Sequence, residues 1–429
     1  MRKILSSFVN ITKKIIPEDT YLKIRQIYKY KFGNKEIELT REYAHKISRK
    51  PKQDKITIVF VIWMESMWNS LRSVYEEAEK DSKVNAYILA QPHILERENK
   101  INQNPAYDFL SKMYPNVINA YENGIWFNLE GLNPDYVFYT YPYSSYYYKN
   151  FAPSEVRKFA KICFIQYGFD TSDDAMFYIS YNYNFIKNVS IIFATCKSAE
   201  VRLKKTVGKI QNKYPKIIYK GFPRFDLINN TKIDTDRKCI LWTPRWTVPS
   251  KQKYDVGSSF LSYYKNFLNY ASNHMELDFI IRPHPLMFSN FLKEGLITQT
   301  EIDDFKDQCF SLGNVCIDEG ADYLSTINKT DIFVADYSSL LLEFFATGRP
   351  VIFLAKAKGF MPEAKLMDMT LYHAFSWKEI EYRLNQLISG NDDMKEFRLN
   401  TLHNFFSIQS ETIASNIINY IKEDYYEEI

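Results

Sequence analysis

Cysteine is scarce in this chain and carries no motif. The five residues, Cys163, Cys196, Cys239, Cys309 and Cys316, are odd in number, lack C-x-x-C spacing and mostly sit in apolar runs. They read as buried thiols of a reducing compartment, which argues against a disulfide framework and against a zinc site. Long uncharged apolar stretches are missing, so no transmembrane helix is expected. A signal-peptide pattern is missing too, and the expectation is a cytoplasmic chain. Charge of one sign is not in excess: a formal net charge of +4 is too mild to imply nucleic acid as a partner. Neither low-complexity sequence nor a whole-domain repeat is visible. At 429 residues the chain exceeds one typical core, which predicts two domains.

Among the features present, the most informative is the stretch from Asp331 to Phe353, DIFVADYSSLLLEFFATGRPVIF. It predicts a buried strand, a Ser-Ser turn, a helix, a Gly-Arg-Pro turn and a second buried strand. That layout aims the free N–H groups of the helix start, beside Ser338 and Ser339, beyond the strand's carboxyl end, a favourable place for a phosphate. A helix merely capped by Ser338 is the plainer reading of the same residues. Three further apolar runs end in polar, Pro-containing turns: Cys239–Trp242 into Thr243-Pro244-Arg245-Trp246, Phe279–Ile281 into Arg282-Pro283-His284-Pro285, and Ile217–Tyr219 into Lys220-Gly221-Phe222-Pro223-Arg224. In a parallel sheet such turns converge, which would bring Arg245, Arg282, His284, Lys220 and Arg224 to the Ser338-Ser339 turn as a pyrophosphate site.

From Pro51 the chain alternates dense β-branched runs with helical stretches, as expected for parallel sheets covered on both faces. The polar run from Asn229 to Lys238 is the expected domain boundary. It leaves a first α/β domain at 51–228 and a second at 239–429, whose closing helices include one that would cross back. The first fifty residues form a basic helical extension, in which basic residues outnumber acidic ones by more than two to one. Ile4, Phe8, Ile11 and Ile15 would line one stripe. The segment would either lie on an anionic membrane surface or pack on the protein with its basic face solvated.

The ordered set GFPRFD (Gly221 to Asp226), LWTPRW (Leu241 to Trp246), RPHP (Arg282 to Pro285) and DYSSLLLEFFATGRPVIF (Asp336 to Phe353) resembles the CDP-glycerol glycerophosphotransferase family of teichoic-acid and capsule polymerases. The resemblance implies a GT-B fold: two doubly wound Rossmann-type domains facing a cleft. It also implies a CDP-linked or CMP-linked donor, a glycan or polyol-phosphate acceptor that is lipid-linked, and peripheral association with the cytoplasmic face of the membrane. Neither a cofactor nor a metal is called for. Carried over, the donor site falls on Arg282, His284, Ser338 and Ser339, with Thr243 and Arg245 added and Lys220 and Arg224 in a second tier. His284 and Arg282 would stabilise charge on the departing CMP.

One departure concerns the base. Teichoic-acid members carry a His-Gly-Thr-Pro stretch where this chain has Gln166-Tyr167-Gly168-Phe169-Asp170, so Tyr167 stands at the position of the expected basic His. A phenol with an ordinary pKa of about 10 is a poor base at pH 7, which brings in Asp170, Asp173 or Asp174, and His93 after a strand. Tyrosines crowd the turn after Tyr136–Tyr139, and Tyr143 and Tyr146 are assigned to the acceptor on the strength of their flat faces. The alternatives are a GT-B glycosyltransferase using a nucleotide sugar, such as a CMP-sialic-acid-dependent sialyltransferase, and a non-catalytic partner in capsule assembly.

Overall fold

Strands made of Val, Ile and Phe on both faces need cover on both faces, and that requirement sets the architecture. The computed structural model describes residues 18–93, 103–170, 175–208, 214–228, 236–248, 257–320, 323–338, 340–354, 362–405 and 412–427. The apolar stripe expected at Ile4, Phe8, Ile11 and Ile15 lies outside these residues, as do Asp173, Asp174 and Ser339. The chain divides into two compact units, one of residues 1–227 with 409–429 and one of residues 228–408.

The first unit holds β1 (Ile56–Ile62), β2 (Val84–Ala90), β3 (Val117–Asn119), a two-stranded ribbon of β4 (Tyr121–Glu122) and β5 (Ile125–Trp126), then β6 (Tyr136–Tyr139), β7 (Lys161–Ile165), β8 (Ile191–Ala194) and β9 (Lys216–Tyr219). Seven of these form one sheet in the order β3-β2-β1-β6-β7-β8-β9. Every pairing in it is parallel. All seven residues of β1 are buried, as its unbroken apolar run requires. Phe60 and Phe138 stack across neighbouring strands with centroids 5.0 Å apart, in a core shared with Ile417 and Ile421 of the Ile413–Tyr426 helix.

That last helix is the one expected to cross back, although the boundaries drawn from sequence, 239–429, kept it in the second domain. Residues 409–429 belong to the first unit, and two carboxylates explain the attachment. Asp226 accepts the N–H groups of Ile413 and Ala414 at 3.0 and 2.8 Å, capping the helix start. Asp424, 1% exposed, accepts from Lys161 Nζ, Tyr136 Oη and Lys216 Nζ at 2.7, 2.7 and 2.6 Å. Gly221 closes the contact: its φ is +107°, and a Cβ there would meet Ile413 at 2.6 Å.

The helices Glu18–Phe32 and Asn34–Ser48 are joined to the same unit. Tyr30 donates to the Tyr181 carbonyl at 2.6 Å, Thr40 to that of Lys187 at 2.7 Å, and Tyr183 to that of Gly33 at 2.7 Å. A Cβ at Gly33 would fall 1.8 Å from Tyr183 Oη, so a side chain has no room there. These described residues pack on the first unit and leave Ile24, Ile27 and Phe32 exposed.

The second unit repeats the layout with β10 (Cys239–Thr243), β11 (Asp278–Ile281), β12 (Val315–Ile317), β13 (Ile332–Ala335), β14 (Val351–Phe353) and β15 (Tyr372–His373). Its sheet runs β12-β11-β10-β13-β14-β15, parallel throughout. In each sheet the first strand of the unit lies inside, with successive strands added to one side and then to the other. That is the doubly wound order, and its reversal points lie between β1 and β6 and between β10 and β13. Cys163, Cys196, Cys239 and Cys309 are buried, while Cys316 is exposed.

Candidate functional site

Parallel pairing brings the carboxyl ends of β10, β11 and β13 level, with Trp242 opposite Ile281 and Thr243 opposite Ala335. The three turns that follow are laced by backbone hydrogen bonds. The Arg282 N–H donates to the Trp242 carbonyl at 2.8 Å and the His284 N–H to that of Pro244 at 3.1 Å. Asp336, 2% exposed, turns one carboxylate oxygen onto the N–H groups of Arg245 and Ser259, both at 2.9 Å. Its side chain fixes the Arg245 turn, a role the sequence did not single out. Burial raises the Asp336 carboxyl above its usual range against the pull of those N–H groups.

His284 is exposed, with its ring 5.9 Å from that of Trp246. Protein packed behind it, and then the Arg245 guanidinium, push the imidazole down to about 4. It is therefore neutral at pH 7. Nδ1 lies 3.2 Å from the Leu286 N–H and accepts from it, which leaves the proton on Nε2. His284 is thus a neutral Nε2–H donor.

Arg282 is held by a residue the sequence reading passed over. Its guanidinium donates to Asp318 Oδ2 and to the Gly320 carbonyl, both at 2.7 Å. Thr326 adds a hydrogen bond to Asp318 at 2.6 Å. Burial opposes ionisation of Asp318, but Thr326, the Gly320 N–H and Arg282 outweigh it and hold the carboxyl below its usual range. The turn from Asp318 to Gly320 thus orients Arg282.

Thr243 Oγ1 and Ser338 Oγ are buried without a hydrogen-bond partner among the described residues. Such hydroxyls at strand ends suit a polar ligand. The helix after Ser338 is shorter than expected: it spans Leu340–Phe345, six residues, so its dipole is a weaker lure for phosphate than the sequence layout suggested. Lys220 and Arg224 belong to the first unit. Lys220 Nζ lies 5.8 Å from the Tyr420 ring centroid. Arg224, 4% exposed, donates from Nε to Ser70 Oγ at 3.0 Å. Among the described residues no group of three His, Cys, Asp or Glu is placed to hold a metal ion.

The first unit has its own cluster at the carboxyl ends of β1, β2, β6 and β7. Trp63 stacks on Tyr146 at 5.0 Å and meets Tyr141 at 5.2 Å and His93 at 4.9 Å. Tyr141 in turn touches Tyr143 at 4.8 Å and Tyr167 at 5.6 Å. Gln91 fixes the tyrosine loop by donating to the Tyr146 carbonyl at 2.8 Å and accepting from the Tyr148 N–H at 3.0 Å. Burial raises the Tyr167 phenol above its ordinary value in spite of Arg224, so a base role finds no support there. Asp170, 6% exposed, accepts from Tyr181 and Thr195, both at 2.6 Å. This is the setting of a structural carboxylate rather than a base.

The model of the CDP-glycerol:poly(glycerophosphate) glycerophosphotransferase family matches residues 43–422. The chain belongs to this family. Among curated proteins, the minor teichoic acid biosynthesis protein GgaB of Bacillus subtilis (strain 168) is 23% identical over 290 residues, 61% of this chain and 29% of GgaB. The chain thus spans less than a third of that relative's length. Among solved structures, the wall teichoic acid polymerase TagF is similar at 14% identity with a TM-score of 0.52, covering 96% of this chain and 98% of TagF. A UDP-N-acetylglucosamine 2-epimerase of Listeria monocytogenes is similar at 11% identity with a TM-score of 0.56, covering 87% of this chain and 98% of its own. Both likenesses show the fold, the GT-B class of α/β protein with two Rossmann-like sheets.

Within this family member, sequence motifs located Thr243, Arg245, Arg282, His284 and Ser338 on one sheet edge, while Asp318 and Trp63 were missed. Asp318 lies 36 positions from the arginine it holds, a pairing no local pattern announces. Trp63 follows β1 directly, and that position at a reversal point was the available signal.

Proposed function

We propose that this chain transfers glycerol phosphate, or a related polyol phosphate, from a CDP-linked donor to a hydroxyl of a cell-surface glycan or polyol-phosphate polymer, releasing CMP. The observation that carries the reading is the convergence of Arg245, Arg282 and a neutral His284 with the buried Thr243 and Ser338 hydroxyls at the carboxyl edge of the second sheet. Family membership favours a CDP-polyol donor over CMP-sialic acid. The acceptor oxygen forms a bond to the polyol-bearing phosphorus, and the bond from that phosphorus to the CMP oxygen breaks with its electron pair on CMP. His284 Nε2–H and the Arg282 guanidinium would hydrogen-bond that departing phosphate, strengthening as its charge grows. Thr243, Ser338 and Ser339 would seat the rest of the diphosphate, and Tyr143 and Tyr146 the acceptor.

Calorimetry with CMP, CDP-glycerol, CDP-ribitol, CMP-sialic acid, UDP and GDP tests the donor. CDP-polyol binding that weakens in His284→Ala is expected; preference for UDP, GDP or CMP-sialic acid would replace the reading.

A peripheral position on an anionic membrane surface, with a lipid-linked acceptor, is the finer part of the proposal. Ile24, Ile27 and Phe32 are exposed on the Glu18–Phe32 helix beside exposed Arg25 and Lys31, a combination suited to an interface. Among the described residues no helix is long and apolar enough to cross a membrane. Co-flotation with phosphatidylglycerol vesicles should fall when Ile24 and Ile27 are replaced by Glu. Undiminished flotation would remove this helix from the proposal.

A further inference from the structure

Whatever accepts the polyol phosphate must bring a hydroxyl and lose its proton. The donor-type edge of the second unit does not account for either need. The carboxyl edge of the first sheet carries a second set of features at its own reversal point, where open α/β sheets take ligands. We propose that the aromatic cluster around Trp63, Tyr141 and Tyr146 seats a neutral sugar ring of the acceptor, and that His93 takes the proton from its attacking hydroxyl. This role rests on the transferase reading above.

The case for a neutral sugar begins with the surfaces. Tyr141, Tyr143 and Tyr146 are half-buried, and Tyr167 is 37% exposed. Ring faces joined in one cluster offer the C–H side of a sugar ring a platform, and the phenol groups offer its hydroxyls hydrogen bonds. Burial keeps the Tyr141, Tyr143 and Tyr167 phenols protonated, with Tyr143 pushed up to about 12 and Tyr141 higher. Polar atoms await partners close by. Trp63 Nε1, Thr140 Oγ1 and Gln166 Oε1 are buried without one among the described residues; Trp63, Thr140 and Gln166 are 5%, 2% and 4% exposed. Charge separates the candidates. The cation that acts on this cluster is Arg224, beside Tyr167, and it is itself buried and directed at Ser70. A polyol-phosphate end would bring an anion to rings that offer it little, whereas the second unit presents two arginines to phosphate.

The base follows from what each titratable group is doing. Tyr141, Tyr143 and Tyr167 are held protonated by burial. Asp170 is engaged by Tyr181 and Thr195. His93 stands at the end of β2, exposed, its ring 4.9 Å from that of Trp63 and 6.0 Å from that of Tyr146. It is an imidazole on the same aromatic surface that would hold the sugar, which puts a proton acceptor beside the bound hydroxyls. The proton passes to the imidazole as the oxygen–phosphorus bond forms, and from there to water after CMP leaves.

The test is CMP release from CDP-glycerol by the full chain, with octyl hexopyranosides or sn-glycerol 3-phosphate as acceptor probes. CMP affinity is measured in parallel by calorimetry. Glycosides should stimulate release, and His93→Gln should lower the stimulated kcat by about 100-fold or more with CMP affinity unchanged. Added imidazole should restore part of the rate to His93→Ala. Stimulation by glycerol phosphate with none by glycosides would overturn the sugar assignment. A His93→Gln enzyme with wild-type rate would overturn the base. Absence of CMP and CDP-glycerol binding by the wild type would overturn the transferase reading, and this role with it.

Discussion

A histidine between two prolines might serve only its turn, and what distinguishes His284 is the combination of its neutral state and its tautomer. With Nδ1 occupied by the Leu286 N–H, the ring offers one N–H in a fixed direction. His284→Ala should lower kcat/KM at least about tenfold, a loss of roughly 1.4 kcal/mol of transition-state stabilisation. Because burial and Arg245 push its pKa down to about 4, the neutral donor persists as pH falls from 8 to 5.5, and it is protonated only as pH passes through about 4. The activity attributable to His284 should therefore be flat across pH 5.5 to 8, read by comparing wild-type and His284→Ala profiles. A step near pH 6.5 present only in the wild type would show an imidazole of ordinary pKa. At this scale the sequence was most legible where chemistry and turn coincide, as in Arg282-Pro283-His284-Pro285. It was least legible for partners brought in by the fold, such as Asp318 and Asp336.

At the scale of elements, apolar runs revealed the central strands because strands buried on both faces admit little else. Of the edge strands, Tyr372–His373 escaped notice: it pairs over two residues, too short to impose a pattern. The GFPRFD motif gave no sign of a further role for a related reason, since its Asp226 caps a helix whose bonded residue lies 187 positions later. The other attachment of that helix gives a stability prediction. Lys161 and Asp424 side chains are 9% and 2% exposed, so Asp424→Ala leaves a buried ammonium unpaired and should cost about 3 kcal/mol, measured by urea unfolding of the first unit's signal. Burial works against the charge on Asp424, but Lys161, Lys216 and Tyr136 hold its carboxyl below the ordinary value. Its contribution should thus be present above the unfolded carboxylate pKa and be lost as pH falls through the lower folded value. An Asp424→Ala protein with wild-type urea midpoint at neutral pH would count against this account.

At the scale of the whole molecule, two units with separate cores carry separate sets of candidate residues. Thr243, Arg245, Arg282, His284 and Ser338 all fall within residues 228–408. A fragment of those residues should fold alone and bind CMP with the affinity of the full chain, checked by circular dichroism and calorimetry. A folded fragment that fails to bind would show that the donor site needs the first unit. The polar run at 229–238 marked a division and a closing helix was expected to cross back, but composition had no means of showing which residues attach it.

That return has a consequence for synthesis on the ribosome. Domains generally fold as units in the order they emerge, yet here the earlier unit stays short of the Ile413–Tyr426 helix until the later one has been made. Until then its hydrophobic face lacks Ile417 and Ile421, and Lys161 and Lys216 lack their shared carboxylate. A chain cut off before residue 413 would lack these contacts and present an unfinished core to chaperones and proteases.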